Sequence, residues 1–418
     1  MKPLRVLLLS VFHPELARGG AQQMCYELFE ELKLQPGVVP TLLASVDGSY
    51  PSLFKSGACI TGFDGKEDEF LLLMQEYDGW WHKTSSPRMV NAFIDFLHSV
   101  KPDVVHFHHF FTLGIDFLTL VRRELPQARI IFTFHEFLSI CAADGQMVRK
   151  TDGSLCSHAS AVRCHQCFPE RSPDQFLMRR MWMLRHFSVV DAFSCPSNFM
   201  LDFYTRWGIP SERIYHVTNS QRIYGEKQAA SPGLKKRFGF FGQIVDQKGV
   251  QIILRAVQQL RLQGFTNFTV QINGDSRYAS RALRKEIETF LIAEKQLPIE
   301  KQIVSYNGSY HIDDLPHLMA QVDWCIVPST WWEIFGLVIS EAWMFGKPVI
   351  CSNRGGPQER VRHGIDGLQF QLGDHQALAE TIHRAATDER LWKRLHANIP
   401  KPSSRSAMAK EFLKLYRV

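Results

Sequence analysis

The chain has 418 residues, more than the roughly 250–300 that one hydrophobic core supports, so two domains are expected. Its 45% hydrophobic and 22% charged content excludes a disordered or fibrous chain, and no stretch offers the roughly 18 uninterrupted apolar residues of a membrane span. The net charge of +6 favours acidic partners only modestly: small phosphates or an anionic membrane face satisfy it, and the dispersed basic residues argue against nucleic acid.

LRVLLLSVF (4–12) is an apolar run of strand length. It follows only Lys2 and Arg5 and leads into Pro14 and Gly19-Gly20 rather than a small-residue cleavage site, so a secretion signal is not expected and a cytoplasmic protein is. The helical pattern AQQMCYELFEELK (21–33) follows, and strand, glycine turn, helix opens a doubly wound α/β domain. The glycines do not form G-x-G-x-x-G, so a nicotinamide site is not supported. They serve either close backbone approach to a ligand at the helix start or a plain tight turn.

Further strands are expected at 39–45, 103–109 and 129–137, with helical stretches between them, including MVNAFIDFLHSV (89–100). Such alternation implies a parallel sheet whose ligands bind beyond the carboxyl ends of the strands. His106, His108, His109 and His135 lie at those ends, although three histidines within four residues cannot all face one pocket.

Residues 138–170 break the pattern with Cys141, Cys156, Cys164 and Cys167, and His158 and His165 among them. Cys164-His-Gln-Cys167 is a C-x2-C knuckle, and the four thiols together suit a structural zinc that folds a loop without its own core. The irregular spacing leaves free thiols and a redox pair open as well. The other five cysteines (Cys25, Cys59, Cys195, Cys325, Cys351) sit among apolar neighbours and read as core residues, so no disulfide framework is expected.

FLMRRMWMLRHF (176–187) is a helical pattern whose Arg179, Arg180, Arg185 and His186 suit either an anionic membrane surface or an ordinary interdomain or core helix. Strands follow at 190–199, ending on Ser197 as a helix cap, and at 213–220. GEKQAASPGLK (225–235) is a polar linker that separates domains at 1–224 and 235–400. The pattern then restarts with strands at 237–244, 268–274, 302–308, 323–329 and 347–353 and helices at 250–264 and 315–322. SRSAMAKEFLKLYRV (404–418) closes the chain as an amphipathic helix.

The most informative stretch is PSTWWEIFGLVISEAWMFG (328–346): the end of a strand, an aromatic loop, then a helix from about Gly336. Glu333 precedes that helix and Glu341 lies inside it, up to about 12 Å away at 1.5 Å per residue, too far to share a bond but suited to an extended ligand. Free N–H groups at the helix start offer a phosphate seat between them. In FGQIVDQKGV (241–250), Lys248 stands just after a strand, where a fixed cation stabilises a departing phosphate. No D-x-D pair occurs, so a metal-bridged diphosphate is not supported.

Glu333, seven residues and Glu341 resemble the E-x7-E signature of the retaining GT-B glycosyltransferases of family 4. The resemblance continues through GKPVICSNRGGPQERV (346–361), HGIDGLQF (363–370), FGQIVDQKGV and HPELARGGAQQ (13–23). It implies two doubly wound Rossmann-like domains facing across a cleft, with the 404–418 helix crossing back to the first. The first domain, with the insert 138–170, would take the acceptor, and the second the sugar nucleotide. The implied reaction moves a hexosyl group, with retention, from a UDP- or GDP-sugar to a saccharide or lipid-linked saccharide in cell-surface polysaccharide synthesis. It needs no cofactor and takes place at most peripherally at the inner membrane face.

By the same resemblance Glu333 holds the donor sugar, Phe335, Gly336 and Leu337 its phosphates, and Glu341 the ribose. Lys248 is the catalytic cation, with Gly20, Gln243 and Asn273 in the donor site. Gly19, Gly20, His108 and His135 belong to the acceptor side, His135 reaching the transferred sugar. Gln243 stands where the family carries Arg, so Arg277 or Arg354 would be the second cation, and a non-catalytic sugar-nucleotide-binding subunit is the alternative reading. No carboxylate pair about 5 Å apart is visible for double displacement, which favours the family's front-face route.

Overall fold

The computed structural model describes residues 2–55, 57–223, 225–227 and 233–417; residues 228–232 of the linker expected at 225–235 lie outside the described residues. The chain divides into two compact units, Met1–Arg222 with Ser403–Val418, and Ile223–Pro402.

The first unit contains β1 (Leu4–Val11), β2 (Val38–Val46), β3 (Ile60–Gly62), β4 (Glu69–Leu73), the small hairpin β5 (Tyr77–Asp78) and β6 (Lys83–Thr84), and β7 (Val104–Phe107), β8 (Arg129–Thr133), β9 (Ala192–Cys195) and β10 (Ile214–His216). Its main sheet has the order β10-β9-β8-β7-β1-β2-β4-β3. All its described pairings are parallel except β3 with β4. From β1 the chain builds outward first on one side and then, from β7, on the other. The order therefore reverses between β1 and β7, and such a switch point opens a crevice at the carboxyl ends of the strands.

The helix Arg405–Arg417 packs Met408, Phe412, Leu413 and Tyr416 into one core with Val6, Leu8, Val104 and Ile131. Arg405 pairs with Glu27 of the helix Gly20–Lys33 at 3.1 Å. Strands β3 and β4, absent from the pattern reading, are short, and after Phe63 the residues between them are polar or glycine.

The second unit has β11 (Arg237–Phe241), β12 (Thr269–Asn273), β13 (Val304–Gly308), β14 (Trp324–Val327), β15 (Val349–Ser352) and β16 (Gly367–Phe370), ordered β13-β12-β11-β14-β15-β16 and paired in parallel. Here the reversal falls between β11 and β14. Its core joins Phe238, Trp324 and Ile350 of the sheet to Ile253 and Val257 of the helix Val250–Leu262 and to Ile287, Ile382 and Leu395 from three helices the pattern reading did not identify, Arg281–Lys295, His375–Thr387 and Glu389–Asn398. Both units are thus Rossmann-like α/β domains.

Candidate functional site

The loops leaving β11 and β14 meet at the second switch point because their backbones are zipped together. The Thr330 N–H donates to the Gln247 carbonyl at 2.8 Å. Gly249 adopts φ +77°, and a Cβ there would stand 2.0 Å from the Pro328 carbonyl oxygen, so only glycine permits this approach. Lys248, at the end of the 3-10 turn Asp246–Lys248, is carried against Glu333: its Nζ lies 2.6 Å from Glu333 Oε2. The Ser329 hydroxyl at 2.9 Å and the Trp331 indole N–H at 3.2 Å donate to the same oxygen. Burial raises the Glu333 carboxyl, but the Lys248 charge and these three hydrogen bonds outweigh it, and the net shift is downward. A buried carboxylate is thereby kept ionised.

The helix Leu337–Met344 begins beside this pair, with Gly336 as its N-cap at φ +74°. Arg360, which the sequence reading did not single out, donates to the Phe335 carbonyl at 3.1 Å, the Gly336 carbonyl at 2.8 Å and the Ser340 hydroxyl at 2.6 Å, and stacks 3.7 Å from the Phe335 ring centroid. In a trans peptide C=O and N–H point opposite ways, so carbonyls fixed on Arg360 aim the following N–H groups away from it. The Gly355-Gly356 turn closes the other side. Gly356 N–H donates to the Glu333 carbonyl at 2.7 Å, and a Cβ on Gly356 would meet the Ile334 carbonyl oxygen at 2.2 Å. The signal was present in RGGPQER as adjacent glycines, but nothing in a sequence says which loop they press on. Glu341 is buried within the helix near Tyr310 and Cys325.

Of the remaining donor-side residues, Gln243 is exposed beyond β11. Asn273 is fully buried and spent on the sheet, donating to the Phe240 carbonyl at 3.2 Å and accepting from Asn307 at 2.7 Å. The alternative cations are engaged: Arg277 pairs with Asp275 at 2.8 Å, and Arg354 donates to the Asn353 carbonyl at 2.8 Å.

In the first unit β7 and β8 end earlier than expected, at Phe107 and Thr133, so His108, His109 and His135 stand beyond the strands while His106 is inside the sheet. His106 bonds to Tyr416 OH and Thr133 Oγ1, each at 2.7 Å, and is structural. His108 and His135 come together, Nδ1 to Nε2 at 3.0 Å. Burial pushes His135 down to about 3 and holds His108 well below the usual imidazole range, so the pair offers hydrogen bonds rather than charge. Neighbouring Glu136 is pushed up to about 8 by burial. Gly19 and Gly20 form no tight turn: Gly19 is extended (φ −161°) and is the N-cap of the helix Gly20–Lys33, and the turn lies earlier, where Leu16 and Ala17 N–H bond the His13 carbonyl, both at 2.9 Å. The four cysteines of the insert are reduced and half-buried.

Residues 18–220 match the family model described as Glycosyltransferase Family 4, and residues 235–388 the model described as Glycosyl transferases group 1. Each half of the chain thus matches a glycosyltransferase domain model. An uncharacterized glycosyltransferase of Methanocaldococcus jannaschii is 30% identical over 186 residues, 44% of this chain and 46% of that protein. The lipopolysaccharide 1,2-N-acetylglucosaminetransferase of Salmonella typhimurium is 25% identical over 265 residues, 58% of this chain and 66% of that protein. The chain spans less than half the length of the first of these relatives. Among solved structures, Anabaena HepE in complex with UDP matches with a TM-score of 0.69 at 17% identity, covering 99% of each chain. The sucrose-phosphate synthase of Thermosynechococcus elongatus matches at 0.68 and 18%, covering 99% of this chain and 98% of that one. These likenesses establish the fold, that of GT-B glycosyltransferases with two Rossmann-like domains.

Proposed function

We propose that the chain is a retaining, metal-independent glycosyltransferase that moves a hexosyl group from a nucleoside-diphosphate sugar to a saccharide or lipid-linked saccharide acceptor in cell-surface polysaccharide synthesis. The observation that carries this reading is the Lys248–Glu333 pair, 2.6 Å apart beside the helix start at Gly336. An ammonium has three donors, and Lys248 spends one on Glu333, which leaves others for the oxygens of a departing phosphate. The hydrogen bonds that Lys248, Ser329 and Trp331 make to the Glu333 carboxylate all fall on Oε2, so Oε1 is the oxygen assigned to a sugar hydroxyl. The backbone N–H groups beyond Phe335 and the helix dipole add to the phosphate seat. The buried Glu341 is assigned to the ribose.

In the proposed step the bond from the anomeric carbon to the β-phosphate oxygen breaks, and negative charge grows on that oxygen against Lys248. The acceptor hydroxyl attacks from the same face and gives its proton to the leaving phosphate, which retains configuration. His108 and His135 at the first switch point are assigned to the acceptor. HepE's complex with UDP and the named activity of the Salmonella relative support the donor class and the pathway class. Gln243 favours a second reading, a subunit that binds sugar nucleotide without turning it over.

The test is release of nucleoside diphosphate from a panel of UDP-, GDP- and ADP-sugars, with and without saccharide acceptors. Turnover is expected with one donor class, and Lys248→Ala should lower kcat at least about 10²-fold. Binding without any release would establish the non-catalytic reading instead.

A further inference from the structure

The insert 138–170 supplies none of the side chains assigned above to donor or acceptor, yet it holds four of the chain's nine cysteines. Local backbone explains how they come together. Cys141 opens a turn, its N–H on the Phe137 carbonyl at 2.8 Å and its carbonyl accepting from Gly145 N–H at 3.1 Å. Residues 147–156 then double back as a hairpin: Arg149 N–H bonds the Ser154 carbonyl and Cys156 N–H the Met147 carbonyl, both at 2.8 Å, and Val148 bridges Leu155. The helix Ala161–Cys167, capped by Ser160, places Cys164 and Cys167 three residues apart and so on one face.

All four cysteines line one cavity, together with Arg149 and Arg163. Its volume is about 20 Å³, room for one water-sized body and for no organic ligand. The surroundings are positive. Arg163 Nε is buried without a hydrogen-bond partner among the described residues, and the buried Arg179, anchored on the Leu138 and Ser139 carbonyls at 2.7 and 2.9 Å, is within electrostatic reach of Cys141 and Cys164. The helix Ala161–Cys167 has no fully buried residue among those described, so it adds no core of its own to the insert.

We propose that Cys141, Cys156, Cys164 and Cys167 form a four-thiolate site for one zinc ion that fastens the insert. Four thiolates on a divalent cation carry two net negative charges, which the surrounding arginines offset. In this structure the sulfurs are not drawn together: among the described residues no three His, Cys, Asp or Glu side chains stand at metal-holding spacing, and the Cys156 thiol donates to the His158 carbonyl at 3.1 Å. Coordination turns the side chains between staggered χ1 wells, brings each sulfur to about 2.3 Å from the metal and releases four thiol protons to solvent. A site that completes itself only with its ion is usual where metal binding supplies folding energy.

Elemental analysis of the purified full chain should find close to one zinc per chain, and none in a Cys164→Ser, Cys167→Ser double variant. Because that variant can fail to fold, Cys156→Ser is measured beside it. Its zinc Kd by chelator competition should rise at least about tenfold, a loss that even an outer partner of a metal ligand can cause. Cobalt substituted into the chain should give thiolate-to-metal charge-transfer bands and tetrahedral ligand-field bands, which Cys59→Ser retains and Cys156→Ser alters. A reduced, metal-free chain that takes up neither zinc nor cobalt overturns the proposal. So does iron with acid-labile sulfide, or a Cys164–Cys167 disulfide in the chain as purified.

Discussion

Glu333 is held ionised because three donors crowd one of its oxygens, against a burial that by itself pushes the carboxyl up. Glu341, assigned to the ribose, differs in kind. A hydroxyl contact far from the breaking bond is made equally in ground and transition states, so Glu341→Gln should weaken donor binding by about 1–3 kcal/mol and leave kcat nearly unchanged. Steady-state kinetics separates the two constants, and a fall in kcat at constant KM would remove the ribose role. Glu136 makes the opposite case to Glu333, since burial pushes it up to about 8 from 4.5. A carboxyl raised in the folded state contributes stability that is fully present below the unfolded value and is lost as pH rises through the folded one. Stability should therefore fall between about pH 4.5 and 8, and Glu136→Gln should flatten that slope by more than about 1 kcal/mol across the window. Urea unfolding at three pH values measures it, and parallel slopes in both proteins would show that Glu136 is not the group responsible. The placement of Lys248, Glu333 and Glu341 was legible in the sequence because a strand end, a loop and a helix start fix their surroundings locally. Asn273 lies at the strand end where the sequence places it, but its bond from Asn307 depends on which strand pairs with β12, and spacing along the chain does not give that pairing.

At the scale of elements, the site is two loops held by their neighbours. Gly249 against Pro328 and Gly356 against Glu333 and Ile334 fix the loop path, and Arg360 fixes the peptide planes at the helix start. A guanidinium reaches three acceptors and stacks on Phe335 at once, whereas an ammonium is a point charge on a flexible stem. Arg360→Lys should accordingly lower kcat/KM for the donor roughly tenfold, the equivalent of about 1–2 kcal/mol of lost orientation, while the chain stays folded by circular dichroism. Unchanged kcat/KM would mean that Phe335 and Gly336 hold their planes without it. Periodicity revealed the strands that run through the core, such as β1 and β14, since both faces of a parallel strand are buried and the run is continuously apolar. It overran β7 and β8 because His108, Phe134 and Phe137 beyond them are also buried, and burial rather than hydrogen bonding is what hydropathy reports. Helices such as Arg281–Lys295 escaped because their buried residues, Leu283, Ile287 and Phe290, are sparse among exposed charges.

At the scale of the whole molecule, the two units repeat one architecture but differ in what stands at the switch point. Beyond β7 and β8 are imidazoles that burial holds neutral; beyond β11 and β14 are a lysine, an ionised carboxylate and a helix start. An anionic nucleotide should therefore choose the second. A ligand that binds only the folded form stabilises it by about 2.7 kcal/mol at a hundred times its Kd, and amides held shut by that ligand exchange more slowly by the corresponding factor of roughly 10². Hydrogen exchange of the full chain with saturating nucleoside diphosphate should thus slow amides in the loops 242–249 and 328–337, with Lys248→Ala losing most of the effect. Residues 107–137 should be much less affected by nucleotide alone, because the His108 and His135 imidazoles there are held neutral by burial. Slowing confined to the first unit, or equal slowing in wild type and Lys248→Ala, would move the phosphate seat away from the β11–β14 switch point and with it the assignment of Glu333 to the donor sugar.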